Sequence, residues 1–202
     1  VGVGAHPGFP DLAGFGRRNM NMLADELRDA IIYQVGALMG FTEVFGVQIQ
    51  HVKPHGAMYN MAAEDEGMSR TIVDALLKLN DQLILFGLSG AKILKIAKDA
   101  GLQVAREVFA DRAYNNDGSL VSRTKPGAVI TDSAQVAERV LKMVKERRVT
   151  TITGTEIDLE LDTICVHGDT AGAVEHARHI TRVLKQEGIE ICLLYTSDAA
   201  DE

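Results

Sequence analysis

Gln50-His51-Val52-Lys53-Pro54-His55-Gly56-Ala57-Met58-Tyr59-Asn60 follows an apolar, β-branched run, and this junction decides the fold. In an extended backbone successive side chains alternate faces, so His51, Lys53 and His55 project together. Pro54 and Gly56 then stop the segment from continuing as a regular strand or helix. Two imidazoles and an ammonium therefore converge where a strand ends.

The junction recurs. Val1-Gly-Val-Gly-Ala runs into His6-Pro-Gly-Phe-Pro-Asp11, Gln82-Leu-Ile-Leu-Phe into Gly87-Leu-Ser-Gly90, Val104-Ala-Arg-Glu-Val-Phe-Ala into Asp111-Arg112, and Thr163-Ile-Cys-Val into His167-Gly-Asp169. Helix-like segments lie between these runs, roughly over 22–45, 62–79, 90–100, 132–147 and 171–187, with apolar residues at three-and-four spacing such as Val136, Val140, Leu141 and Val144. Strand followed by helix, repeated, predicts a parallel sheet covered by helices. In such folds the active site lies at the carboxyl ends of the strands, where His6, His51, His55, Asp111 and His167 fall. Val149 to Leu161 interrupts the alternation with two short runs around Gly154, which predicts a β-hairpin before the last strand.

The 202 residues are 46% hydrophobic, enough for one domain with a substantial core. A formal charge of −7 argues against nucleic acid or an anionic membrane as the main partner. Two cysteines, Cys165 and Cys192, make neither a disulfide framework nor a paired-thiol metal motif. With no apolar stretch long enough to span a bilayer, the expectation is a cytoplasmic enzyme domain. Residues 1–191 are read as a single domain that begins inside a strand, as a fragment would. The tail 192–202 loses both periodicities and resembles translated adaptor read-through, so it is set apart as non-native.

Six blocks occur together in order: Gly4-Ala-His-Pro-Gly-Phe-Pro-Asp11, Gly14-Phe-Gly-Arg-Arg-Asn19, Gln50 to Asn60, Glu107-Val-Phe-Ala-Asp-Arg112, Arg123-Thr-Lys-Pro-Gly127 and Cys165-Val-His-Gly-Asp169. In these the chain resembles the LamB/YcsF family. The resemblance implies a (β/α) barrel of the seven-stranded, deacetylase-like TIM type, here lacking its first strand or strands. It also implies an ATP-dependent 5-oxoprolinase that works with B and C subunits, opening 5-oxoproline to glutamate while ATP is hydrolysed to ADP and phosphate. The family's amino-terminal Asp-Asn-Asp-Glu cluster and a second His-Ala-Gly-Asp motif have no counterpart in this sequence.

A lactam is an unstrained amide, so its opening calls for carbonyl activation, here by phosphorylation from ATP, and then for water. These steps need an acid, a base and an anion clamp. Histidine titrates nearest neutrality, which makes His6, His51, His55 and His167 the candidate proton carriers, with Asp11, Asp111 or Asp169 orienting an imidazole. Arg17, Arg18, Lys53 and Arg112 offer charge to substrate carboxylate or phosphate, with Asn60 beside them. Gly14 and Gly16 would let a loop backbone approach such a ligand. No Walker-type phosphate loop occurs in the sequence, so ATP would bind by another device or at a subunit interface.

Competing readings stand beside these. His51 and His55 suit a divalent ion, as in the deacetylase-like barrels, with a third ligand in the segment this chain lacks. That favours a metal-dependent hydrolase or deacetylase on a carbohydrate or amide. A third reading makes the chain a substrate-binding scaffold for partners that do the chemistry. Among structural alternatives, Arg17 and Arg18 pair with surface carboxylates, Asp111 and Arg112 belong to a structural ion pair, and Tyr59 and Asn60 sit in a Gly turn as cap or turn residues. His176 and His179 are placed on a solvated helix face.

Overall fold

The computed structural model describes residues 2–170 and 172–194. The expected strand start at Val1, the expected helix start at residue 171, and residues 195–202 of the tail set apart as non-native lie outside the described residues. The chain divides into two compact units, Val1–Arg106 and Glu107–Glu202.

In the first unit β1 (Val3–Ala5), β2 (Ile49–Val52) and β3 (Ile84–Leu88) pair in parallel, with Gly4 opposite His51 and His51 opposite Ile84. Helix α1 (Ala24–Val44) follows β1, α2 (Gly56–Ala62) and α3 (Glu66–Leu79) follow β2, and α4 (Lys92–Asp99) follows β3. Helix α1 starts where the Glu26 carboxylate reaches back to accept from the Leu23 backbone N–H at 3.1 Å. Asp65 caps α3 by accepting from the Met68 N–H at 2.9 Å. Leu27, Ile31 and Val35 on α1, and Ile72, Val73 and Leu76 on α3, recur at helical spacing and are buried, joining Val52 and Leu85 of the strands in one core.

Strand β4 (Gln103–Phe109) runs across the boundary, and its last residues pair in parallel with β7 (Thr163–Cys165), Val108 opposite Ile164. Between them come α5 (Ser133–Glu146) and the antiparallel hairpin of β5 (Arg148–Thr150) and β6 (Glu156–Asp158), as the two runs around Gly154 predicted. Helix α6 (Ala173–Gln186) follows β7 and packs on α5, burying Val136, Ala137 and Val140 against Ile180 and Leu184. The larger sheet has the strand order β1-β2-β3-β4-β7. Parallel strands alternating with helices, five strands where a seven-stranded barrel needs seven, are the expected fold.

Two local expectations are corrected. Tyr59 and Asn60 lie inside α2, which His55 opens in an extended conformation; Gly56, at φ 58°, turns the chain directly into the helix. His176 is fully buried instead of solvated, because it occupies the first place of the buried series His176, Ile180, Leu184 on the face of α6 against α5, where its Nδ1 meets Ser133 Oγ at 2.7 Å.

Candidate functional site

Polar groups follow the carboxyl ends of the strands in both units, and each group is built by its own loops. In the first unit the Lys53 N–H donates to the Ala5 carbonyl at 2.9 Å and the His55 N–H to the Pro7 carbonyl at 2.8 Å, which ties the segment after β2 to the segment after β1. His6 Nδ1 lies 2.6 Å from the Lys53 carbonyl oxygen, His6 Nε2 lies 2.9 Å from His55 Nδ1, and His55 Nε2 lies 2.7 Å from the Phe15 carbonyl oxygen. Carbonyl oxygens only accept, so the two outer nitrogens donate. The rings meet edge to face at 4.7 Å, and Phe15 closes on His55 from another side at 5.1 Å.

The loop that delivers the Phe15 carbonyl is wound tightly. Phe15 at φ 54° and Gly16 at φ 65° are consecutive left-handed residues. Through them the Gly16 carbonyl accepts the Ala57 N–H of α2 at 2.9 Å while the Phe15 carbonyl meets His55. Asp11 anchors the loop by accepting from the Gly14 N–H at 2.9 Å and from Arg18, whose Nε is 3.0 Å from each carboxylate oxygen and whose terminal nitrogen also contacts Oδ1. The Arg18 hydrogen bond holds the Asp11 carboxyl down at about 2. Gly14 and Gly16 face Asp11, Arg18 and His55 of the chain itself, so the room they leave is filled by protein.

His51 stands apart from this pair. Its ring stacks on Phe86 at 4.3 Å and 16° and covers Gly4, where any Cβ would overlap the imidazole. Burial, aided by the positive charge of Lys53, pushes its pKa down, favouring a neutral ring. The Lys53 ammonium lies over the Tyr59 ring, 5.7 Å from its centre, and Arg17 lies over Phe15 at 5.1 Å. Asn60 is exposed on α2.

The second unit carries a carboxylate–imidazole pair. Asp111, fully buried two residues beyond β4, accepts from His167 Nδ1 at 2.8 Å and from the Thr170 hydroxyl at 3.2 Å. Burial works to raise the Asp111 pKa, but the His167 hydrogen bond and charge, with Thr170, hold it below the usual carboxylate value. Since Nδ1 donates to the carboxylate, a neutral His167 presents a lone pair on Nε2. Phe109 stacks under that ring at 5.4 Å and 28°. This is the geometry of an oriented general base.

The remaining candidates are placed as follows. Arg112 is buried and donates to the carbonyls of Val121 at 2.6 Å and Ala128 at 3.4 Å, so two of its N–H groups brace the 121–128 loop. Asp169 is exposed in the turn after His167. Of the three carboxylates expected to orient an imidazole, Asp111 does so, while Asp11 is taken by Arg18. Thr170 was missed, although it lies one residue past the Cys165–Asp169 block; nothing in sequence marks the Phe15 carbonyl.

The pair expected to hold a divalent ion, His51 and His55, is held by other contacts in this structure. Both nitrogens of His55 are engaged, by His6 and by Phe15, and the His51 ring lies against Phe86. Among the described residues no three His, Cys, Asp or Glu side chains are grouped to hold a metal ion.

The sequence matches the LamB/YcsF family over residues 1–199. It is 53% identical over 195 residues to the 5-oxoprolinase A chain of Clostridium beijerinckii, covering 96% of this chain and 76% of that protein. The corresponding 5-oxoprolinase A chain of Pyrococcus abyssi is 51% identical over 191 residues, covering 95% and 75%. The crystal structure of a lactam utilization protein from Thermus thermophilus superposes with a TM-score of 0.87 at 42% identity, covering 95% of this chain and 76% of that one.

Proposed function

The chain belongs to the LamB/YcsF family, and from that premise we propose that it is the A subunit of a cytoplasmic, ATP-dependent 5-oxoprolinase acting with B and C subunits. The reaction is the opening of 5-oxo-L-proline to L-glutamate, coupled to the hydrolysis of ATP to ADP and phosphate. The observation that carries a catalytic role is the Asp111–His167 pair, a buried carboxylate fixing an imidazole with its free nitrogen available.

ATP, as co-substrate, supplies the activation of the lactam carbonyl by phosphorylation. His167 Nε2 takes a proton from the water that attacks that carbon, and Asp111 stabilises the imidazolium that results. The C–N bond then breaks, the departing nitrogen takes the proton from the His167 imidazolium and leaves as an amine, and a second water cleaves the resulting acyl phosphate to the carboxylate and inorganic phosphate. In the first unit, Lys53 and Arg17 offer positive charge suited to a carboxylate or a phosphate oxygen.

The test is release of ADP and glutamate from 5-oxoproline by the chain assembled with its partner subunits, beside a His167→Gln variant. Coupled release that falls at least a hundredfold in the variant is expected. Glutamate formed without ATP, or a variant as fast as wild type, would refute the assignment.

A further inference from the structure

A buried cation with no carboxylate in direct contact, among the described residues, lies behind the Asp111–His167 pair. Arg139 is in the middle of α5. Three and six residues further on, Lys142 is paired with Glu156 at 2.8 Å and Lys145 with Glu187, whereas Arg139 forms no ion pair among the described residues. One of its terminal nitrogens donates to the Arg112 carbonyl oxygen at 2.7 Å, and the guanidinium carbon lies 5.4 Å from the centre of the Tyr114 ring. The other terminal nitrogen is buried without a hydrogen-bond partner among the described residues.

Taking a guanidinium out of water is costly, and burial lowers the Arg139 pKa accordingly. Such a charge is kept where something opposes it. The groups that act on Arg139 are the Tyr114 ring and hydroxyl and the Asp111 carboxylate, and Asp111 in turn faces His167 and Thr170. Glu107 and Cys165 face Tyr114 from the strands.

The carbonyl that Arg139 binds belongs to the residue after Asp111. The backbone on either side is also held: the Phe109 N–H donates to Tyr114 Oη at 2.8 Å, the Ala110 N–H to the Cys165 carbonyl at 3.1 Å, and the Asp111 carbonyl accepts the Ile130 N–H at 2.9 Å. The Arg112 carbonyl receives its donor from Arg139. A mid-helix side chain thus reaches the strand end that carries the site carboxylate.

We propose that Arg139 is a positioning residue for the Asp111–His167 pair. By holding the Arg112 carbonyl and setting a positive charge behind Asp111, it fixes the carboxylate in place and keeps it ionised. His167 then keeps its Nδ1 proton on Asp111 and its Nε2 lone pair for water. The proposal rests on reading the pair as a general base.

Arg139→Met and Arg139→Gln test it, since each keeps most of the side-chain length while removing the charge. In the assembled enzyme each is expected to lower kcat about tenfold, with KM changed less than about twofold, and to move the acid limb of kcat/KM to higher pH. Arg139→Lys, which keeps the charge, is expected to return the limb to its wild-type position. A readout independent of turnover is the nitrogen NMR spectrum of the His167 ring in the chain. Wild type should show the proton on Nδ1, and the uncharged variants a mixture of tautomers. A changed ring spectrum with no 5-oxoproline turnover even in wild type supports the positioning while sinking the proposed function. An unchanged spectrum and unmoved limb in a folded variant, or loss of fold in both uncharged variants, would overturn the positioning role.

Discussion

Asp111 has no surface left for water, and its carboxylate is balanced by one imidazole and one hydroxyl. Asp111→Asn removes the charge and turns an N–H₂ toward His167, which favours the wrong tautomer; kcat is expected to fall about 10²–10⁴-fold with KM little changed. The same pair sets a pH window. Its folded pKa is depressed, so its contribution to stability is complete above the ordinary carboxylate value of 3.8 and is lost as pH falls through the lower folded value. Urea midpoints of wild type and Asp111→Asn should therefore differ at pH 7 and converge only as pH falls below 3.8 and through the lower folded value; a gap that persists once the carboxyl is protonated would contradict the assignment. At this scale the sequence was informative about which residue types follow the strands and poor at partners. Alternation along β2 put His51, Lys53 and His55 on one side, yet the imidazole that His55 meets is His6, forty-nine residues away. No local period encodes such a contact, and the backbone carbonyls of Lys53 and Phe15 that complete it carry no residue signature.

Helix α2 starts with no room to spare, which makes it the element most sensitive to one atom. Gly56 has φ 58°, and a Cβ there would stand 2.5 Å from the Gly16 carbonyl oxygen, a backbone atom already accepting from Ala57. Gly90 has φ 82° with nothing within 4 Å of its Cβ position. Gly90→Ala is expected to cost about 1 kcal/mol, the conformational term alone. Gly56→Ala adds the overlap and should cost about 3 kcal/mol or more, freeing the Phe15–Gly16 turn from His55. Denaturant midpoints of the two variants check the difference, and equal losses would show that the Gly16 contact gives way. Elements with a sustained period were legible: α5 shows Val136, Val140 and Val144 at four-residue spacing, and the β5–β6 hairpin shows its turn glycine. Helix α2 was not, because seven residues opening with Gly56 make fewer than two full periods and their glycine reads as a stop. His176 was misplaced for a related reason: hydropathy gives histidine no inward preference, although its position in the 176, 180, 184 series does.

At the scale of the whole chain, the ordered blocks carried the family, the sense of the parallel strands and the placing of polar groups beyond them. The boundary at 106/107 left no trace in sequence, since β4 runs straight through it and neither glycine nor proline marks it. Each unit carries polar groups of its own. The first has a hydrogen-bonded imidazole pair with Lys53 and Arg17, the second a carboxylate–imidazole pair, and both lie beyond strand ends. Neither supplies a phosphate-binding loop of the Walker type. Relatives of this chain are named as one subunit of an enzyme, so turnover is expected to need the other subunits and ATP together. The engaged nitrogens of His55 add a second expectation that separates this reading from a metal-dependent hydrolase. A transition-metal chelator, with magnesium kept in excess for the nucleotide, should leave the rate of the assembled enzyme within about twofold, because proton transfer through His167 needs no transition-metal ion. Omitting the partners should abolish ADP and glutamate release alike. Loss of activity on chelation, restored by zinc or another divalent ion, would return His51 and His55 to the role of ligands and require His55 to leave the Phe15 carbonyl.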